Sequence, residues 1–410
     1  MRRRRRVLPR RSAREWGVRA GLALAAAAVG SWSVMQSLAY SERGAAPEVA
    51  HKLAPGDGRI TAILSEELSG PEATPTDRAR ADELAKLALR QDPTAVTAAA
   101  TLGINAQIRG DTAGARRIFA YAQTLSRRDL RTQLWAIEDA VSRGDISAAL
   151  KQYDITLRTS EYGPDLLFPV LGSAISSPAI REALIETLAA KPAWTQAFIE
   201  YLVGSDADPR SVRGLFVGLR HKRVPISDNA QAGLIISLMK QDLKNEAWDY
   251  YRSLHPAADR RKSRDDRFSS SLGTPTPFDW EPIENDGLRA SIQRANNGGV
   301  VDFSAPADIG GVILRQIQLL PPGVYILRGH SANINQPEGS RPYWSLVCDD
   351  GKEIGRIDVP NSDQRNGNFE GRFVVPEGCG MQSLQMTVRP SDAVGGVVGQ
   401  IDRAQLIPTR

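Results

Sequence analysis

Two cysteines are the residues of this 410-residue chain whose chemistry is easiest to predict. Cys348 and Cys379 are the only cysteines, and they lie 31 positions apart. Such a pair is typical of an oxidising compartment. A bridge closing a loop of this length contributes roughly 3–4 kcal/mol on the chain-entropy model. Paired zinc ligation would need more Cys or His nearby than this region offers. We therefore expect a disulfide and no cysteine nucleophile.

Three acidic residues follow the first cysteine in "CDDGKE": Asp349, Asp350 and Glu353. Carboxylate oxygens suit calcium, so a structural calcium site is one interpretation. Asp-Asp-Gly is also typical of a tight hairpin turn, and we favour the turn. We expect no metal and no cofactor.

Motifs for enzymatic catalysis are absent from the sequence. There is no G-x-S-x-G, H-E-x-x-H or G-x-x-x-x-G-K pattern. Glu66 and Glu67 are adjacent on a predicted helix and point in different directions. Glycosidase carboxylates carry no local signature, so a hydrolase remains an alternative. We expect a protein that is not an enzyme.

The cysteines must be positioned by strands. From Phe278 onward, short alternating runs such as "YWSLVC" and "FEGRFVV" are separated by turn residues. This pattern predicts an antiparallel β-sandwich of about eight strands over residues 277–410. Period two places Trp344, Leu346 and Cys348 on one face, which predicts a buried tryptophan beside the disulfide. Tyr343 then lies on the opposite face.

Residues 48–256 instead show helical spacing of apolar side chains. Arg-Gly-Asp occurs twice, and Gly110-Asp111 and Gly144-Asp145 are 34 residues apart. We expect each glycine to end one helix and each aspartate to cap the next, in about five or six helical pairs. The aromatic residues in the apolar stripes are predicted to pack between helices: Trp135, Trp194, Trp248 and Tyr251. Residues 257–276 are charged and then rich in serine and proline, which predicts an exposed connection.

At the N-terminus, a positively charged segment is followed by an apolar one. Residues 1–19 hold nine arginines against Glu15, a net +8, so the whole-chain +5 leaves −3 for the rest. A nucleic-acid surface is therefore not expected. Residues 20–40 carry no charge and predict a transmembrane helix with the N-terminus in the cytoplasm. The alternative is a signal peptide cleaved after Ser37-Leu38-Ala39, leaving Tyr40 as the first residue.

The 34-residue period and its turns resemble the tetratricopeptide repeat. That resemblance covers half of the chain and implies an α-solenoid whose concave face binds a protein partner. The predicted fold is therefore multidomain: a transmembrane helix, a helical-repeat solenoid and an all-β domain.

The predicted sandwich resembles the galactose-binding and jelly-roll domains of carbohydrate-binding modules. The resemblance implies that aromatic rings stack on sugars while planar polar groups bind the hydroxyls. The candidate residues are Tyr343, Trp280, Arg341, Asn333, Asn335 and Gln336.

The whole chain also resembles membrane-anchored repeat proteins of Gram-negative α-proteobacteria, through "LSRRDLRTQLWAIEDAVSRGDISAALKQYD" and "LPPGVYILRG…YWSLVC…VVPEGC". This implies a cell-envelope setting near exopolysaccharide export. We expect a single-pass inner-membrane scaffold with its bulk in the periplasm, contacting a protein partner and a polysaccharide. The alternatives are a secreted periplasmic carbohydrate-binding protein and a glycan-acting hydrolase.

Overall fold

The structure, a computed structural model, describes residues 12–270, 273–285, 287–295, 298–393 and 395–409. Over these residues, fourteen α-helices precede two antiparallel β-sheets, as the sequence predicts. The chain separates into two compact units, residues 1–169 and 170–410. Most of the predicted leader, residues 1–11, lies outside the described residues. The helices are α1 (Ala13–Glu42), α2 (Pro47–Leu53), α3 (Gly58–Glu67), α4 (Pro75–Gln91), α5 (Val96–Ile108), α6 (Thr112–Leu125), α7 (Leu130–Ser142), α8 (Ile146–Thr159), α9 (Gly163–Ala174), α10 (Pro178–Ala189), α11 (Thr195–Gly204), α12 (Pro209–His221), α13 (Asp228–Lys240) and α14 (Lys244–Leu254).

Helix α1 is long and apolar enough to cross a membrane, and a signal sequence has the same features. Ser12 caps its first turn by accepting a hydrogen bond from the Glu15 amide. Its last turns pack against α2. Ala39 is fully buried there, in a small cluster with Ala50, Ala54 and Ile60. One continuous helix therefore contains both the apolar stretch and part of the core of the first unit.

The two Gly-Asp turns have the geometry that the sequence predicts. Gly110 and Gly144 adopt φ values of +82° and +69°, a left-handed conformation that favours glycine at the end of a helix. Asp111 and Asp145 cap the next helices, α6 and α8, through their side chains. Both Arg-Gly-Asp tripeptides are therefore turns between helices.

The helix pair α7–α8 repeats the pair α5–α6 with an offset of 34 residues, and the helices have matching lengths of 13 and 14 residues. Trp135 stacks on Phe119 with ring centroids 4.3 Å apart, so this tryptophan packs between helices as predicted. In the second unit, Trp194, Trp248 and Tyr251 are buried. Trp248 and Tyr251 pack against Phe278, which lies outside the helices, so the prediction of packing between helices is corrected for these two.

Ten strands form two five-stranded antiparallel sheets in the described residues, compared with the predicted eight. The sheet orders are β1-β4-β9-β6-β7 and β2-β3-β10-β5-β8. The strands are β1 (Glu281–Pro282), β2 (Arg289–Ala295), β3 (Gly298–Ala305), β4 (Gly311–Gln318), β5 (Gly323–Ala332), β6 (Tyr343–Cys348), β7 (Glu353–Asp358), β8 (Asn368–Val375), β9 (Gln382–Val388) and β10 (Val397–Pro408). The alternating runs in the sequence do not predict the strands β1 to β3.

Inward-facing side chains of both sheets form one core. Trp344 and Phe373 are fully buried within it, and the disulfide joins Cys348, at the end of β6, to Cys379, just before β9. The predicted disulfide and the predicted burial of Trp344 on the core face of β6 are therefore confirmed.

The three acids after Cys348 lie in and beside a hairpin turn, as the sequence predicts. Asp350 accepts a hydrogen bond from the Lys352 amide, while Gly351 turns the chain at φ +83°. Asp349 pairs with Lys244 of α14 at 2.8 Å, and Glu353 pairs with Arg356. Because each carboxylate has a different partner, the three cannot converge on one ion. Among the described residues, no group of three or more His, Cys, Asp or Glu side chains is placed to hold a metal ion.

The segment predicted to be an exposed connection is partly buried, which corrects that prediction. Arg264 is only 7% exposed and Phe268 only 2%. The Arg264 guanidinium donates to the Phe278 carbonyl at 2.9 Å, to Gln318 Oε1 at 2.7 Å and to the Ile317 carbonyl. These partners lie on and beside β4, far away in sequence, so local composition could not reveal them. The predicted domain bounds, 48–256 and 277–410, stay predictions.

Candidate functional site

The outer face of the sheet β1-β4-β9-β6-β7 carries rows of polar side chains. The strand register aligns Arg315, Gln385, Ser345 and Arg356 across four neighbouring strands. A second row runs through Val312, Thr387, Tyr343 and Asp358. Period two explains the pattern, because the alternate residues of β6 and β9 fill the core. This face therefore presents hydroxyl, amide and guanidinium groups together with the apolar side chains of Val312, Ile317 and Val347.

Tyr343 lies half-buried in this face between two arginines. The guanidinium carbons of Arg356 and Arg389 lie 4.1 Å and 4.5 Å from its ring centroid, within cation–π distance. Arg356 is level with Ser345, whereas Arg389 lies beyond Thr387, the partner of Tyr343. The two arginines therefore approach the tyrosine from opposite sides along the strand.

Carboxylates hold both of these arginines in place. Glu353 accepts two hydrogen bonds of 2.9 Å from Arg356, a bidentate pair. These bonds raise the pKa of Arg356 above its ordinary value. Asp358 accepts a 2.7 Å hydrogen bond from Arg389. Both guanidinium groups are therefore positively charged at any physiological pH and fixed in orientation.

Arg341 completes the group, which we call the Tyr343 cluster: Tyr343, Arg341, Arg356, Arg389, Glu353 and Asp358. The Arg341 backbone is extended, so Arg341 and Tyr343, two residues apart, lie on the same side of the chain. Its carbonyl accepts a 3.1 Å hydrogen bond from Arg389. Its Nε is buried without a hydrogen-bond partner in the part of the chain that the structure describes. The cluster thus holds three cations and two anions.

Trp280, predicted to contact sugar, lies in the core. It is 4% exposed, and its ring packs on Phe268 and Trp344 at centroid distances of 5.4 Å and 5.7 Å. Its indole Nε1 donates to the Asp265 carbonyl at 3.0 Å. Both the ring and its donor are occupied, so the ring is enclosed and cannot stack on a ligand in this conformation.

The three amide residues of the loop between β5 and β6 do not form one group. Gln336 is buried and holds the loop, donating to the Gly396 carbonyl at 3.0 Å and accepting from Ser391 at 2.6 Å. Asn333 is exposed and donates to Gln400 of β10. Asn335 is exposed. Of the six predicted residues, the structure therefore brings together only Tyr343 and Arg341.

Arg356 and Arg389, which contact the Tyr343 ring, are not among the residues that the sequence predicts. The period-two pattern places Arg356 and Asp358 on one face of β7, but it does not show which face of a neighbouring strand they join. That information needs the antiparallel register between β6, β7 and β9, which is not visible in one sequence.

A cavity of about 770 Å³ lies elsewhere in the second unit, beside the end of α14. Two of its acids already have partners. Asp279 accepts from Tyr251 Oη at 2.7 Å and from Thr276, and Asp265 accepts from the amides of Ser269 and Ser270. Burial and the neighbouring Asp279 raise the pKa of Tyr251. These bonds hold the loop between α14 and β1, so we assign the cavity a structural role.

Comparisons with known proteins find no matching family model and no matching curated protein. Among solved structures, the carbohydrate-binding module TmCBM61 in complex with β-1,4-galactotriose is 17% identical, with a TM-score of 0.25, over 37% of this chain and 97% of that one. A carbohydrate-binding module from Cellvibrio mixtus lichenase 5A in complex with cellotriose is 12% identical, with a TM-score of 0.21, over 32% of this chain and 92% of that one.

An enzymatically active domain of bacteriophage CBA120 tailspike protein 4 is 16% identical, with a TM-score of 0.23, over 32% of this chain. The chain spans 19% of that protein's length. Similarity at this level assigns neither a family nor a ligand, so the chain's own geometry carries the functional argument.

Proposed function

We propose that this chain is a non-enzymatic, membrane-anchored protein of the cell envelope whose sandwich binds glycan on the outer face of the sheet β1-β4-β9-β6-β7. The observation that carries the proposal is the pair of polar rows across this face, with the Tyr343 cluster at one side. Sugar hydroxyls need donors and acceptors held in fixed directions, and a strand-borne row supplies them.

Part of the polar rows reaches solvent, whereas Ser345 is buried. Gln385, Ser383 and Thr387 are half-exposed on β9, the central strand of the sheet. Gln385 donates to Ser383 at 3.0 Å, which leaves its amide oxygen available to a ligand. The acids Glu353 and Asp358 are committed to arginines, so neither is free to act as a general acid or base. This arrangement supports binding over catalysis.

Anchoring and a protein partner belong to the same proposal. Helix α1 supplies the membrane span, and its buried Ala39 supports retention of the helix over cleavage after that residue. In the first unit, Ile108 and Val141 are more than half exposed at the ends of α5 and α7, which supports a protein-binding role for the helices. The solenoid, the periplasmic location and the role near exopolysaccharide export are parts of this proposal.

A glycan array probed with the purified full-length chain in detergent tests the binding function. We expect defined glycans to bind and Gln385→Ala to weaken them about tenfold, the effect of losing one or two hydrogen bonds. Gln405→Ala is a matched control: Gln405 also lies outward on a strand with one side-chain hydrogen bond, but in the other sheet. Binding that is equally affected by both variants, or an array without any binding, would contradict the proposal.

Two further measurements address the anchor and the partner. N-terminal sequencing of the native protein should find the leader in place, whereas a mature chain beginning at Tyr40 would indicate a free periplasmic protein. Cross-linking in intact cells followed by purification should recover one reproducible envelope protein. That recovery should decrease when Ile108 and Val141 are both changed to serine, and an unchanged yield would contradict binding at these positions.

A further inference from the structure

We infer that the Tyr343 cluster selects acidic glycans, those with carboxylate groups, over neutral glycans of the same backbone. The inference rests on the proposed function, since it names the ligand class of the same face. It starts from an imbalance: the cluster has three guanidinium groups and two carboxylates. Glu353 neutralises Arg356, and Asp358 neutralises Arg389. Arg341 has no carboxylate partner within the described ranges.

Arg341 is suited to receive an anion. Its Nε is buried without a hydrogen-bond partner in the described structure, although a buried donor without a partner costs free energy. A ligand carboxylate accepting from the terminal nitrogens of the guanidinium would balance its charge. Guanidinium and carboxylate are both planar and can form two parallel hydrogen bonds. The side chain is only half-buried, so a ligand can reach it from solvent.

The neighbouring arginines add donors to the same place. Each guanidinium has five N–H donors. Arg356 uses two of them on Glu353, and Arg389 uses two, on Asp358 and on the Arg341 carbonyl. Arg389 is bonded to the Arg341 carbonyl, and Arg356 and Arg389 contact the same Tyr343 ring. A carboxylate bound there would therefore meet an array of fixed donors with a net positive charge.

The same arginines argue against a neutral ligand stacked on Tyr343. A pyranose ring stacks on an exposed aromatic face, but two guanidinium groups already lie 4.1 Å and 4.5 Å from this ring's centre. To stack, a neutral sugar would have to displace a cation held by its own carboxylate. Recognition at this position therefore uses the guanidinium groups, which favour an anion.

Binding of polygalacturonate and of its carboxyl-reduced counterpart to the full-length chain, measured by calorimetry in detergent, tests the inference. The two polymers share a backbone and differ in charge. We expect polygalacturonate to bind at least tenfold more tightly, with affinity falling as salt rises. Arg341→Gln should remove most of that preference. Arg372→Gln is the control, because Arg372 is exposed on β8 of the other sheet.

The outcomes separate the inference from the proposed function. The leader's arginines attract any polyanion, so the decisive reading is the difference between Arg341→Gln and Arg372→Gln, which share the leader. Equal affinity for both polymers, or equal losses in both variants, overturns selection by charge and leaves glycan binding intact. If neither polymer binds and the glycan array is also blank, the proposed function fails together with the inference. Circular dichroism of Arg341→Gln confirms that the variant is folded.

Discussion

Two arginine–aromatic clusters in the second unit use the same contact in different surroundings. In the first, which we call the junction cluster, the Arg264 guanidinium lies 5.6 Å and 5.8 Å from the rings of Trp248 and Phe278. In the Tyr343 cluster, Arg356 and Arg389 lie closer to one tyrosine ring. Arg264 is 7% exposed, whereas the side chain of Arg356 is 46% exposed.

The partners of the arginines explain what each cluster does. Arg264 donates to backbone carbonyls and to Gln318, and the side chain of Gln316 bonds its backbone on both sides. These acceptors are neutral, and burial lowers the pKa of Arg264 to about 10 although the nearby Asp279 acts in the opposite direction. The arginines beside Tyr343 are paired with carboxylates and keep free donors. A buried arginine with its donors used fixes the fold, while a half-exposed one remains available to a ligand.

The largest expected effect is at the junction cluster. Arg264→Met removes the donor to several buried acceptors at once, and each buried acceptor left without a partner costs about 1–3 kcal/mol. We expect the free energy of unfolding to fall by about 3–5 kcal/mol. Urea denaturation followed by tryptophan fluorescence measures it. A loss below about 1 kcal/mol would mean that Arg264 is no more structural than a surface arginine, and the contrast between the clusters would disappear.

The second-largest effect on the free energy of unfolding is expected from removing the disulfide of the sandwich that carries the Tyr343 cluster. Changing both Cys348 and Cys379 to serine removes a link across 31 residues. We expect a loss of about 2–4 kcal/mol in unfolding free energy because the unfolded chain gains freedom. Unfolding in urea with and without reductant checks this, since reduced wild type should match the variant. Insensitivity of the wild type to reductant would contradict the prediction.

Within the Tyr343 cluster the effect on stability should be small. Arg389→Met removes one cation–π contact, one ion pair and the hydrogen bond to the Arg341 carbonyl, each contributing about 0.5–1 kcal/mol or less. We expect a total loss of about 1 kcal/mol in the same urea experiment. A loss comparable to that of Arg264→Met would show that the cluster is structural and would weaken the case for a ligand.

The smallest effect is expected where α14 meets the hairpin after β6. Lys244 and Asp349 pair at 2.8 Å, and Lys244→Met should cost about 0.5 kcal/mol at neutral pH. The hydrogen bond from Lys244 lowers the pKa of Asp349 below 3.8, so its contribution is present above pH 3.8 and is lost as the pH falls through that lowered pKa.

The bond from Asp349 raises the pKa of Lys244 above 10.5, so this contribution is complete below pH 10.5 and is lost as the pH rises through the raised pKa. Stability measured from pH 2.5 to 8 should therefore show the wild type and the variant converging at the acid end. Parallel curves across that range would show that the pair contributes nothing.

Sequence reasoning succeeded where the determinants are local. The Gly-Asp turns followed from glycine's tolerance of positive φ and from aspartate's capping side chain, both visible within four residues. The face assignment of β6 followed from period two, which is why Trp344 and Tyr343 were placed on opposite faces of the strand. Cysteine pairing followed from there being only two cysteines.

Sequence reasoning failed where the partners are distant. In the sequence, Arg264 is one of many charged residues in a polar connection. Its partners Gln316 and Gln318 are 52 and 54 residues later in the chain, so only the structure shows that they lie beside it. The sequence allows Trp280 to be exposed, whereas in the structure its ring packs on Phe268 and its indole donates to the Asp265 carbonyl. The arginines around Tyr343 come from two other strands. In each case the missing information was strand or segment pairing, which no local pattern encodes.

The uninterrupted α1 has a mechanical consequence. Gln36 is half-buried and Ala39 is fully buried against α2. The apolar part of α1 therefore continues into the folded unit without a flexible linker. The end of α1 therefore packs against residues of both α2 and α3. Any shortened version prepared for biochemistry should therefore keep residues 36–42, since a start at Tyr40 would leave a hole where Ala39 fits.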